Sequence, residues 1–145
     1  MIRQISVFIQ NGEGRLAHVL RVLAENDINI RSLTISETAD YGIIRLILQD
    51  PEKGLSALKA AHIMANETPV MAVELPDKPG GMSQLTELLT RADVQIKYAY
   101  SFLPQNTTNA IIIFAVSEDD QKKVVDALKD HPAIHLLDSD VLLMR

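Results

Sequence analysis

The chain has no cysteine among its 145 residues, which excludes disulfides, thiolate nucleophiles and Cys-ligated zinc or iron–sulfur sites and is compatible with a reducing cytosol. Aromatic residues are scarce at 4%, and 14 Lys and Arg are outnumbered by 19 Asp and Glu, for a net charge of −5. The basic field and the exposed stacking rings that nucleic-acid binding needs are therefore both missing. No apolar stretch approaches the roughly 20 residues of a membrane span. "MIRQISVFIQ" is too short and too alternating for a signal-peptide core, so a cytoplasmic location is expected. Of the four histidines, His18, His62, His131 and His135, only the last two are spaced as His-x-x-x-His, flanking "PAI", and no carboxylate-supported cluster accompanies them. Surface or capping roles are expected for them, with no metal and no cofactor.

What is present is a core-forming composition, 47% hydrophobic and 23% charged, arranged in alternating periodicities. Ile5, Val7 and Ile9 recur at period two, the pattern of a strand with one buried face. After a break at residues 11–14, Leu16, Val19, Leu20 and Leu23 fall at i, i+3, i+4 and i+7, which puts one apolar stripe on a helix ending near Asn26. In "INIRSLTISE" the alternation slips by one step, predicting a bulge near Arg31 and Ser32. "TADYG" reads as a hairpin-like turn into the strand "YGIIRLILQ". Asp50 and Pro51 then read as an N-cap and first helical residue of a helix over 51–62. "IMANETPVMAVEL" passes from strand to strand with little interruption, placing a boundary near residues 67–69.

The second half replays this order, with strands expected over 70–75, 94–102, 110–116 and 134–137 and helices over 82–91 and 118–129. Ser117 and Asp120 resemble a capping box for the later helix. Gly14 and Gly80, Leu23 and Leu89, Asp27 and Asp93, and Ile30 and Ile96 are identical pairs 66 positions apart (80 − 14, 89 − 23, 93 − 27, 96 − 30). Divergent duplication is the economical reading, with domains at 1–68 and 69–145. The expected fold class is α+β: two tandem ferredoxin-like βαββαβ units with antiparallel sheets and helices on one face. Strands such as "IIRLILQ" and "AIIIFAV" are apolar on both faces, so the second sheet face should be covered by the other unit or another chain. Tyr98, Tyr100 and Phe102 alternate on one strand face, which suits such an interface. The apolar tail at 141–144 is expected to add an edge strand.

Both copies join the first strand to the first helix through a glycine loop, "NGEGRLAHVLRVLAENDINI" and "DKPGGMSQLTELLTRADVQI". On these stretches the chain resembles a tandem pair of ACT domains, the small regulatory modules that bind amino acids. Glu13 stands where that family usually carries proline. The resemblance implies a ligand site where two ACT units meet, beside these loops. Helix N-termini carry unpaired N–H groups and partial positive charge, so residues 14–17, Arg15 among them, and 80–83 suit a carboxylate. Gly14, Gly80 and Gly81 would admit it close to the backbone. Asn11 and Asp77 suit its ammonium group, with Asp77 preferred for its charge. Leu16, Met82, Ile30 and Ile96 would meet the side chain, and Asn29 and Gln95 would add polar contacts. A strand-to-helix turn uses the same glycine, Asn and Asp whether or not anything binds, and the four apolar residues also fit a plain core.

The resulting expectation is a stand-alone regulatory or sensor protein, not an enzyme. It binds a free amino acid at paired ACT domains, acts on a separate biosynthetic enzyme and forms a homo-oligomer. The alternatives are a small enzyme on the same scaffold and a protein-interaction module without ligand. For the enzyme, Arg15 is the nearest residue to an acylphosphatase-type arginine loop, but the second copy has Gly81 there, and no local Ser–His–acid set or carboxylate pair appears.

Overall fold

The computed structural model describes residues 1–10, 12–38 and 40–145. Asn11 of the expected ligand set and Ala39 of the expected hairpin-like turn lie outside the described residues. The chain divides into two compact units, Arg3–Thr68 and Met1–Ile2 with Pro69–Arg145. The division falls inside one continuous strand, Ala65–Leu75.

In the N-terminal unit the elements are β1 (Ile2–Gln10), α1 (Arg15–Glu25), β2 (Ile30–Glu37), β3 (Tyr41–Leu48), α2 (Pro51–Ala60) and the start of β4 (Ala65–Leu75). The sheet order is β2-β3-β1-β4, with β1 and β2 both antiparallel to β3. The expected irregularity is real: the β2 register shifts between Ile30 and Ser32. Ile5 and Val7 stand opposite Leu46 and Ile44, on the face that packs against Val19 and Leu23 of α1 and Leu58 of α2. Asp50 caps α2 by accepting the Lys53 N–H at 3.1 Å, with Pro51 opening the helix.

The C-terminal unit repeats the plan with the remainder of β4, α3 (Gly81–Arg91), β5 (Tyr98–Phe102), β6 (Ala110–Ala115), α4 (Gln121–Leu128) and β7 (His135–Leu137), followed by α5 (Ser139–Met144). The order β5-β6-β4-β7 matches that of the first unit. Met71 and Val73 pair with Phe114 and Ile112 over a core built with Leu85 and Leu89 of α3 and Val124 and Leu128 of α4. Each unit is thus the ferredoxin-like α+β arrangement, in tandem.

Three local expectations are corrected. Residues 141–144 form no edge strand but lie in α5, where Asp138 accepts the Val141 N–H at 3.0 Å and nucleates a turn. Ser117 makes no side-chain cap. Its carbonyl instead accepts the Asp120 N–H at 3.0 Å, closing a 3-10 turn over Glu118–Asp120 before α4 begins. The strand expected from residue 94 starts only at Tyr98, because Val94 turns into the core beneath α3 and its N–H returns to the Leu89 carbonyl at 2.9 Å.

The second sheet face of the C-terminal unit carries Tyr100 and Phe102, opposite Ile113 and Ile111, and Glu74, also opposite Ile111. Phe102, Ile111 and Ile113 are fully buried there, as is Leu142 of α5.

Candidate ligand site

The two glycine loops have the same construction. Gly14 and Gly80 adopt φ of 78° and 88°, a left-handed conformation that only glycine takes without steric cost. Each receives the first i→i+4 helical bond on its carbonyl, from His18 N–H at 3.0 Å and Gln84 N–H at 2.9 Å. Asp27 and Asp93, 66 positions apart like the glycines, close the two helices in left-handed conformations at φ 57° and 59°. Neither α1 nor α3 has a side-chain cap or an acidic residue in its first turn. In α2 and α5, by contrast, Asp50 and Asp138 supply both cap and charge. The open ends therefore keep N–H groups and dipole charge for an outside acceptor.

The expected residues distribute unevenly around these ends. Gly14, Arg15, Asp77, Gly80 and Met82 are exposed at the loops, and Asn29 and Gln95 are exposed on the segments that follow the two helices. Gly81 is buried, with the Pro76 carbonyl oxygen where a Cβ would stand. Leu16 and Ile30 pack against the first core and Ile96 against the second, so their apolar character is accounted for by packing. In the C-terminal unit Gln95 and Ile96 line a shallow opening with Asp120. There the Lys123 hydrogen bond, 3.2 Å from Nζ to the carboxylate, holds the Asp120 carboxyl below its usual range despite partial desolvation.

One grouping was not expected. Arg15, His18 and His62 converge on a cavity of the N-terminal unit, at the junction of β1, α1 and the turn after α2. His18 and His62 are both exposed, as expected of surface residues, yet they share this cavity. They are 44 positions apart (62 − 18), His18 on α1 and His62 in the turn after α2, a separation that hides their meeting from any local motif.

The sequence matches the family described as an ACT domain pair over residues 1–140. The chain belongs to the ACT domain pair family. This ACT pair is also similar to protein BT0572 from Bacteroides thetaiotaomicron, at 36% identity over 99% of this chain and 96% of that one, with a TM-score of 0.87. The ligand-free regulatory subunit of aspartate kinase from Thermus thermophilus aligns at 16% identity over 87% of this chain and 89% of its own, with a TM-score of 0.60. Its Thermus flavus counterpart gives 15% and 0.57 over the same 87% and 89%. Likeness at such identities is likeness of fold. No curated protein matches the ACT pair. Among the described residues no helix is long and apolar enough to cross a membrane.

Proposed function

We propose that this ACT pair, with domains at 1–68 and 69–145, is a regulatory protein rather than an enzyme. It binds a free amino acid beside its glycine loops, where paired ACT units meet, and passes the bound state to a separate biosynthetic enzyme. The observation that carries this reading is the matched pair of uncapped helix N-termini on left-handed Gly14 and Gly80, in a chain where α2 and α5 are capped by their own aspartates and α4 continues from a 3-10 turn. Those ends suit an α-carboxylate, and exposed Asp77 beside the second suits the ammonium group. The fold shared with aspartate kinase regulatory subunits agrees with such a role. Homo-oligomerisation fits the edge strand β2, where Leu33 and Ile35 remain 43% and 44% exposed. Regulation then follows from differential affinity, since a ligand shifts association only as far as it favours one arrangement over another.

The test is a thermal-shift screen of the purified chain against all twenty amino acids. A ligand specific for the native state adds about 2.7 kcal/mol of stability at 100 times its Kd. One amino acid raising the melting temperature, with the shift lost in Asp77→Ala and reduced in Gly80→Ala, supports the reading. If all twenty leave the melting temperature unchanged, the chain is a protein-interaction module and its loops are turns.

A further inference from the structure

The cavity in the N-terminal unit has a volume of about 350 Å³, within the range of small-molecule pockets. Its walls include Phe8, Val19 and Ile63, of which Val19 is fully buried, while Arg15, His18 and His62 are exposed at its edge. The Arg15 side chain lies over Gly12, with Cγ 3.4 Å and Nε 3.5 Å from the place a Cβ would occupy there. His18 Nδ1 stands 3.3 Å from Arg21 Nη2. A guanidinium only donates, so this ring nitrogen accepts and Nε2 keeps its proton as a donor. Among the described residues, no Asp or Glu lines the cavity.

The second copy shows that the fold does not need these groups. In the 66-residue register Gly81 replaces Arg15, Gln84 replaces His18 and Leu85 replaces Val19. The helices α1 and α3 are nevertheless both 11 residues long and both start on a left-handed glycine. The left-handed residue after α2 is His62, at φ 61°, whereas after α4 it is Asp130, at φ 57°. The cationic and donor groups are therefore particular to one unit, where they share one cavity.

We infer that this cavity, which adjoins the first glycine loop and takes Arg15 from it, is a binding site for a small organic carboxylate with an apolar body and no ammonium group. The planar guanidinium of Arg15 takes a carboxylate in two parallel hydrogen bonds. His18 Nε2–H and the His62 ring add donors, and Phe8, Val19 and Ile63 receive the hydrocarbon part. An amino acid would bring its ammonium beside Arg15 where no described lining residue is an Asp or Glu, a like-charge contact that selects against it. Because Arg15 belongs to the first loop, the inference is independent of amino-acid binding at the second loop, where Gly81 stands in its place.

The test compares 4-methyl-2-oxopentanoate with leucine, which share a carbon skeleton and differ in the ammonium group, by calorimetry and by NMR of the histidine rings of the full chain. Saturable binding of the oxo acid that perturbs His18 and His62 is expected, with leucine failing to displace it. Arg15→Gln, an exposed substitution whose folding is verified by an unchanged melting temperature, should weaken the oxo acid at least about tenfold. His18→Gln should weaken it less. Absence of saturable binding, or equal affinity in Arg15→Gln, overturns the inference. Equal competition by leucine removes the exclusion of ammonium, and equal competition by inorganic phosphate makes the cavity a general anion site; either result overturns it too. Because the amino-acid site is read out at the second loop through Asp77→Ala and this cavity through Arg15→Gln, the two proposals fail separately.

Discussion

Arg145 Nε donates to Glu74 Oε2 at 2.8 Å, joining the residue after α5 to the second sheet face of the C-terminal unit. The Glu74 side chain is only 11% exposed. Its other oxygen accepts from Asn109 at 3.1 Å and Thr107 at 3.3 Å, so both carboxylate oxygens are engaged. The Arg145 carbonyl in turn accepts the Asn106 N–H at 2.8 Å. The loop between β5 and β6 and the end of α5 are thereby held around one buried charge. Arg145→Met keeps the backbone bond and removes the cation. A loss of about 1–2 kcal/mol is expected in urea denaturation at pH 7, because a buried carboxylate loses a charged donor while the Arg145 side chain, 37% exposed, was already partly screened. A variant as stable as the parent would mean that Asn109 and Thr107 suffice.

The same cluster sets an acid limb. Burial pushes the Glu74 carboxyl up, but the hydrogen bonds from Asn109 and Arg145, the Arg145 charge and the Thr107 hydroxyl outweigh it and hold the group below its ordinary 4.5. A carboxyl depressed in the folded state contributes stability that is fully present above its unfolded value and is lost as pH falls through the folded one. The urea midpoint of the parent should therefore decline once pH drops below about 4.5. Glu74→Gln should be less stable at pH 7 and show a shallower decline over that window, narrowing the gap between the two proteins. Parallel curves would place the acid sensitivity elsewhere.

Gly80 and Gly81 are adjacent but constrained for different reasons. At Gly80 a Cβ meets nothing within 4 Å, yet φ is 88°, so Gly80→Ala costs about 1–2 kcal/mol through backbone strain alone. At Gly81 a Cβ would collide with the Pro76 carbonyl oxygen, which is backbone and cannot swing aside. Gly81→Ala is expected to cost more than Gly80→Ala and to broaden amide signals around residues 76–81. Chemical denaturation of the two variants settles the order.

The fold was legible because periodicity and register agreed. The alternation of Ile5, Val7 and Ile9, the helical spacing from Leu16 to Leu23 and the 66-residue offset each carry their own physical constraint, and the structure follows them, with Val22 in place of Leu20 in the buried stripe of α1. The 141–144 tail misled because four apolar residues fit a strand or one helical turn equally well. Asp138, three positions before Val141, was the signal for a helix start. At the loops, glycine at positions 14 and 80 announced the left-handed turns. The cavity was not legible. It depends on where the turn after α2 comes to lie beside the start of α1, a tertiary relationship that no local spacing of Arg15, His18 and His62 encodes.

If duplication set the packing as well as the sequence, matched positions should carry matched energies. Leu23 and Leu89 occupy equivalent places on α1 and α3, are 0% and 1% exposed, and sit in separate cores beside Val19 and Leu85. Truncating a buried leucine to alanine costs about 2–5 kcal/mol, the spread reflecting how far the site collapses around the cavity. Leu23→Ala and Leu89→Ala should therefore both fall in that range, and hydrogen exchange should report lost protection first in the strands facing the truncated side chain: β1 and β3 for Leu23, β4 and β6 for Leu89. A cost near zero for either would mean that its unit tolerates a void at that point, and that likeness of sequence outlasted likeness of packing.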